Sequence, residues 1–324
     1  MRNHLSRGRC AEGVRKVHTA IQLPLHPGRA PKWLFKRMVK LSGLISTYVI
    51  DEYGKKIFME RLADPMWFQS LGCVLGFDWH SSGLTTTTTA AIKIALEEEN
   101  LGVYLAGGKG RTARKTPEQI MKYGDFLNIS EKRKDDLIRT SRLTAKIDNS
   151  CIQDGYQIYH HVTVFCKDYS VVIQQGMNDK NGYARRYHWL NPHLWENIID
   201  SDKENIITTD YNSTLNLAST KSYGARVASL EIIGEMPRHH RVLLKYLSAR
   251  EIKKISHICD FGLKDYEELL LTKGVGPKKL RALALVAQLV YGSELDWQDP
   301  AKFSFAHGGK DGHPFPVDRN CYDN

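Results

Sequence analysis

The run from Tyr156 to Gly176 is the stretch that most narrows the possible folds. Tyr-Gln-Ile-Tyr-His-His-Val-Thr-Val-Phe-Cys and Ser-Val-Val-Ile-Gln-Gln flank a short polar turn at Lys167-Asp168-Tyr169. Runs this rich in β-branched and aromatic residues, broken by a polar turn, predict a β-hairpin. Neighbouring side chains on a strand point to opposite faces. His160 then falls with Tyr156, Ile158, Val162 and Val164 and reads as a core histidine. His161 falls with Gln157, Tyr159 and Thr163 and reads as the site candidate.

Helical spacing surrounds this hairpin. A first helix is predicted from Pro31 to Gly54, with Leu34, Met38, Leu41, Ile45 and Tyr48 on one side and Lys32, Lys36, Arg37 and Lys40 on the other. Asp64-Pro65 has the form of an N-cap and first helical position. Thr85 to Thr89 read as the start of a folded helix that ends near Glu97-Glu98-Glu99. A short strand, VYLA, leads to Gly107-Gly108-Lys109, and Thr116-Pro117-Glu118-Gln119 has capping-box spacing. Another helix is predicted from Glu131 to Asp148, and GMNDKNGYARRYHWL reads as a long functional loop. Residues 200 to 222 read as a linker or surface excursion, and Ser248 to Glu251 as a further capping box. The expected fold is an α/β (or α+β) main body over residues 16–234 with a small C-terminal all-helical domain over 235–292. Residues 1–15 read as a loose basic extension, and 293–324 as an irregular tail packing back on the body.

Within the helical part, Glu267 to Ala287 reads as helix, tight turn, helix. Gly274-Val275-Gly276 permits a sharp turn, and Pro277 suits the first position of the next helix. Unpaired amides in such a turn make an anion cradle, here ringed by Lys273, Lys278, Lys279 and Arg281. The pattern resembles the helix-hairpin-helix element, which grips a nucleic-acid phosphate without reading sequence. The plainer alternative is a basic helical corner.

Composition agrees with a polyanionic partner. The 324 residues carry a net charge of +10, which fits nucleic acid and would also fit a membrane surface. No apolar run is long enough to span a bilayer, and the six cysteines are scattered without a C-x-x-C pair, so a zinc ribbon or disulfide scaffold is not expected. A cytoplasmic protein with reduced thiols is the expectation.

Four clusters could carry chemistry. Asp78 and His80 precede a helix. Lys109, Arg111 and Arg114 follow the first glycine pair as a candidate phosphate site, with Gly308-Gly309-Lys310 as a second such loop. Asp148, Asp154, His161 and Gln175 lie at or near strand ends, where carboxylates with a histidine could hold magnesium or manganese for phosphodiester hydrolysis. Asp154, His161 and Asp311 are the metal-ligand candidates. Arg185 and Arg186, interleaved with Tyr187 and Trp189, could hold a backbone and stacked bases.

Longer runs carry a resemblance: APKWLFKRMVKL, DPMWFQSLGCVLGFDWHSSGLTT, AGGKGRTARKTPEQI, QDGYQIYHH, QQGMN, GYARRYHWL and SFAHGGKDGHPFPVDRNCYD. Together they resemble the prokaryotic domain-of-unknown-function family numbered seven hundred sixty-three, from about Lys16 onward. The resemblance implies an archaeal or bacterial cytoplasmic protein with a candidate nuclease role, and it carries over no catalytic motif. The leading expectation is a metal-dependent DNA nuclease in repair, with the turn as its grip. A non-enzymatic DNA- or RNA-binding adaptor is the alternative. A DNA glycosylase using Asp296 or Asp299 ranks third.

Overall fold

The computed structural model describes residues 23–25, 30–78, 80–194, 197–200, 206–207, 214–259 and 263–301. Three helices precede the first strand. Helix α1, Lys32–Ala63, runs past the expected stop at Gly54, which forms a kink at φ 81°, ψ 165° rather than an end. Asp64 then closes α1 and opens α2, Pro65–Val74, its side chain accepting from the Met66 and Trp67 amides at 2.7 and 3.1 Å. Helix α3, Ser82–Glu98, contains the threonine run. Thr86 and Thr89 hydroxyls donate to the Gly83 and Thr85 carbonyls, so side chains that usually compete with a helix are satisfied inside it.

Strand β1, Tyr104–Lys109, follows, then a 3₁₀ turn, helix α4 (Thr116–Phe126) and helix α5 (Glu131–Lys146). The capping box expected at Thr116 does not form. Thr116 Oγ1 donates to Ala113 O, and Gln119 reaches instead to the Gly107 amide and to Lys93. A π-helical turn over Ile147–Cys151 leads to β2 (Ile152–Gln153), β3 (Gln157–Phe165) and β4 (Ser170–Asn178). The predicted loop after β4 is largely a strand, β5 (Tyr183–Leu190), followed by the short β6 (Ile206–Ile207) and β7 (Leu215–Asn216). Glycine and aromatic content suggests a loop there, but alternate residues of β5 find buried partners on each face.

The main sheet has strand order β1-β3-β4-β5-β6, and every pairing is antiparallel; β2 and β7 pair separately. Helices α1 to α3 cover one face, where Phe58, Leu62, Phe68, Leu84 and Ile92 meet Leu105, Val162, Val171 and Ile173. On the other face α4 and α5 cover the β1 end, with Ile120 and Leu137 against Ala106 and Phe165. A mixed α+β architecture follows, since an antiparallel sheet with helices on both faces needs no parallel crossover.

Helices α6 (Tyr223–Gly234), α7 (Met236–Leu243), α8 (Ala249–Cys259), α9 (Tyr266–Leu271) and α10 (Pro277–Tyr291) follow β7. The expected Ser248–Glu251 capping box is present, with Glu251 accepting from the Ser248 amide at 2.9 Å. Leu280, Leu283 and Val286 of α10 share one buried cluster with Leu143, Val172 and Trp189 of the body. Residues 295–301 lie against that body, with the Asn216 amide donating to Asp296 O at 2.8 Å.

Candidate nucleic-acid interface and the buried polar networks

Between α9 and α10 the chain turns at Thr272 to Gly276, with Gly274 at φ +85°. Val275 is buried beneath the turn. The carbonyls of this segment are drawn inward. Lys279 Nζ donates to Gly274 O at 2.7 Å, Lys146 Nζ to Val275 O at 2.8 Å, and Gln153 Nε2 to Pro277 O at 2.9 Å. The Lys279 and Leu280 amides both close onto Gly276 O at 3.1 Å, and the Val275 amide onto Thr272 O at 3.2 Å. Among the described residues, the amides of Gly274, Gly276 and Lys278 take no protein acceptor. Lys273 and Lys278 are exposed beside them, Lys278 reaching Glu251 at 3.0 Å. Lys279 is buried, because its ammonium holds the turn together from within.

Two of the other predicted clusters are interior networks. The first crosses the sheet toward α5. Gln174 Nε2 donates to Asp148 Oδ2 at 2.6 Å, so its carbonyl oxygen is the atom that meets His161 Nδ1 at 2.9 Å. That contact places the proton on Nδ1 and leaves Nε2 to accept from Ser141 Oγ at 2.7 Å. Trp189 Nε1 also donates to Asp148 Oδ2, at 2.7 Å. A hydroxyl, imidazole, amide and carboxylate in series have the polarity of a relay. Yet Ser141 is 3% exposed, so its hydroxyl meets no substrate and the chain staples α5 to the sheet. Burial holds His161 neutral, its pKa lowered to about 4.

The second network centres on Arg185, which donates to Asp154 Oδ2 and to Asp299 Oδ2, each at 2.8 Å. Tyr187 Oη also donates to Asp154 Oδ2, at 2.6 Å, and the Tyr156 amide to Asp154 Oδ1, at 3.0 Å. Burial raises the pKa of Asp154, and Arg185, Tyr187 and Tyr156 oppose that rise. Both oxygens already accept, one of them from a guanidinium. A divalent cation placed here would meet a fixed positive charge, and His161 is committed to Ser141 and Gln174, so this pair does not fit magnesium or manganese.

Arg186 lies on the opposite face, fully buried like Arg185. It donates to His188 Nε2, Gln69 Oε1, Thr85 Oγ1 and Pro65 O at 2.9 to 3.2 Å, and its guanidinium sits 4.8 Å from the Phe68 ring centre. Neither arginine can meet a backbone, which corrects the sequence assignment. β5 is an interior strand, and its period of two sends Arg185 to the Asp154 side and Arg186 to the α2–α3 side.

Gln175 is likewise parted from His161. It lies on the α3 side, donating to Ser82 O at 2.9 Å and to Tyr159 Oη and accepting from Thr85 Oγ1. His160 also faces α3, 3.0 Å from Thr89 Oγ1, with its pKa lowered by burial to about 3. Tyr159 joins that side because a bulge between Ile158 and His160 breaks the alternation on which the sequence assignment rested. Gly107 serves packing: a Cβ there would lie 2.3 Å from His161 O. Lys109, Arg111 and Arg114 are exposed, and Lys109, Asp78 and Tyr159 line one pocket of about 390 Å³ before α3. His80 is half-buried just after Asp78. Asp296 is buried and Asp299 is bound to Arg185, so neither is presented to a substrate. Asp311 and the loop Gly308-Gly309-Lys310 lie outside the described residues.

Gln69, Gln174 and Ser141 are not among the sequence candidates. The adjacent doublets His160-His161 and Gln174-Gln175, which fall opposite one another, and Arg185-Arg186, with Arg186 opposite Gln175, are the signal that could find their partners.

The family model described as Protein of unknown function (DUF763) matches residues 19–317. The chain belongs to this family. The match to DUF763 agrees with the resemblance carried by the long runs and spans every element described above. No curated protein and no solved structure matches the chain. Among the described residues, no three His, Cys, Asp or Glu side chains are grouped to hold a metal, and no helix is long and apolar enough to cross a membrane.

Proposed function

We propose that the protein binds nucleic acid, DNA ahead of RNA, through the sugar-phosphate backbone, with the turn between α9 and α10 as its grip. One observation carries this reading: the turn's carbonyls are drawn inward by Lys279, Lys146 and Gln153, while the amides of Gly274, Gly276 and Lys278 stay uncommitted. Amides without acceptors beside exposed lysines favour an anion, and a phosphate backbone is the anion that a chain of net charge +10 is suited to meet. This is how a helix-hairpin-helix element would work. Hydrolysis is a further proposal with less behind it. Asp148 and Asp154 are buried in networks, and of the described acids named from sequence Asp78 is the one that faces a pocket. The binding reading therefore stands ahead of the metal-dependent nuclease.

Gly276 supplies a clean test. Its φ of −149° and ψ of −178° are open to any residue, and an added Cβ would meet nothing within 4 Å. Gly276→Ala should leave the melting temperature within about 1 °C, because packing does not use the glycine. It should weaken binding of a labelled duplex by about tenfold, because a methyl group would stand where a phosphate approaches the amides. Fluorescence anisotropy across a salt series would read both the affinity and its salt dependence. Salt-insensitive binding, or equal affinity for Gly276→Ala and wild type, would overturn the grip. The same DNA incubated with magnesium and with manganese tests hydrolysis separately.

A further inference from the structure

The pocket before α3 has a wall built to give away a proton. Arg186 carries a positive charge into the interior, where it donates to neutral acceptors. A guanidinium can only donate, so Thr85 Oγ1 accepts from Arg186 and must send its own proton to Gln175 Oε1. That fixes the Gln175 amide, whose nitrogen donates to Ser82 O and to Tyr159 Oη. The Tyr159 oxygen is thus an acceptor from within. Ser82 and Tyr159 both line the pocket. A phenol oxygen that accepts from Gln175 still carries its own proton to donate. Lys109 stands at the same wall, its Nζ 5.7 Å from the Tyr159 ring centre. Every link from the buried arginine outward is polarised toward an acceptor, and a lysine adds a charge beside it.

The remaining lining is of a different kind. Pro31, Leu34 and Phe77 make an apolar side, and Asp78 adds an acceptor for hydroxyl or amino donors. The volume of about 390 Å³ falls in the range of roughly 300–1,000 Å³ typical of small-ligand sites. Two basic segments flank the pocket and each contributes a lining residue. One is the start of α1, with Lys32, Lys36 and Arg37 exposed and Trp33 60% exposed under the Arg37 guanidinium. The other is Arg111, Arg114 and Lys115, exposed just beyond Lys109.

We infer that this pocket takes one nucleotide unit, its phosphate on Lys109 and the Tyr159–Ser82 hydroxyls, its base against Phe77, Leu34 and Pro31, and its sugar hydroxyl or base amino group on Asp78. An anion alone would use only one wall, and an apolar ligand alone would leave the polarised donors unanswered. The choice of a nucleotide over other phosphorylated ring compounds rests on the nucleic-acid reading above. The unit can be a free nucleotide or an unstacked one within a strand passing between the two basic segments.

Isothermal titration of the full chain with AMP, with adenosine and with inorganic phosphate tests the pocket, and a short labelled single strand tests the strand form. AMP should bind about tenfold or more tighter than adenosine or phosphate, and both Tyr159→Phe and Lys109→Gln should weaken AMP by about tenfold. Lys109 is exposed, so Lys109→Gln keeps the test valid if Tyr159→Phe fails to fold. Gly276→Ala should leave AMP affinity unchanged. AMP binding with these sensitivities, alongside a strand that does not bind, supports the pocket while removing the grip. A strand that binds, weakened by Gly276→Ala but indifferent to Lys109→Gln, with no AMP binding, overturns the pocket and leaves the grip standing. AMP affinity unaffected by either pocket variant also overturns it.

Discussion

Arg185 and Arg186 are adjacent, equally buried and differently balanced. Arg185 faces two carboxylates, Asp154 and Asp299, which are far apart in the chain. Replacing it with Met would leave both acids facing each other without a counter-charge, and breaking a buried pair in this way costs about 3–5 kcal/mol. Arg185→Met should therefore shift the urea midpoint far downward, while Asp154→Asn, which keeps an acceptor for Tyr187 and Arg185, should cost less. Equal stability of Arg185→Met and wild type would show that the network does not hold the tail to the sheet. The doublets also mark the limit of what sequence conveyed. Their alternation placed His160 in the core and set His161 apart from it. Their burial was hidden, because amide, guanidinium and carboxylate side chains are ordinarily exposed unless paired, and the pairs here join residues 114 and 117 positions apart. The bulge before His160 was hidden too. No side chain announces an extra residue in a ladder, and here that residue is Tyr159, which joins the α3 side.

At the scale of elements, periodicity served where one face is apolar and failed where both faces are polar but occupied. The hairpin of β3 and β4, the cap at Asp64 and the Ser248–Glu251 box follow local rules and were legible. β5 reads as a loop because its segment is rich in glycine and aromatic residues, yet Arg185, Arg186, Tyr187 and His188 all find partners inside. α1 shows the converse, since Gly54 signalled a stop but the helix resumes beyond it. Its φ of 81° with ψ of 165° lies in a region that a β-carbon disfavours, although an added Cβ would touch nothing within 4 Å. Gly54→Ala should then cost about 1–3 kcal/mol from backbone strain alone, read as a lower urea midpoint with an unchanged slope. Gly276→Ala is the internal control, since the same added methyl group at an extended backbone should cost almost nothing. A neutral Gly54→Ala would mean that α1 straightens freely and that the kink is not fixed by the packing of its second half.

For the whole molecule, the buried histidines tie stability to pH. His160 and His161 have pKa values lowered by burial to about 3 and about 4, and His188 is held well below its usual value by burial and by Arg186 beside it. The groups that face them set this charge environment. Lys109 and His161 bear on His160 across the sheet, Gln174 and Ser141 hold His161, and Arg186 and the Leu62 carbonyl hold His188. Unfolded, each imidazole regains a pKa near 6.5 and binds a proton that the folded form excludes. The unfolded state thus binds more protons below pH 6.5, so stability rises with pH there and falls on acidification. The full contribution is present above pH 6.5 and is lost as pH drops toward 4 for His161 and toward 3 for His160. Each buried imidazole removes about 1.4 kcal/mol per pH unit well below 6.5. Ordinary carboxylates add their own loss only nearer pH 4. Urea midpoints at half-unit steps from pH 7.5 to 4.5 should therefore be flat above 7 and descend from about 6.5. His161→Gln can keep hydrogen bonds to Ser141 and Gln174 without a titrating ring, so it should flatten that descent by about 1.4 kcal/mol per pH unit even if it lowers the plateau. A wild-type curve that stays level to pH 5 would mean that protons reach these rings in the folded state. The sheet would then not be sealed between its two helical layers.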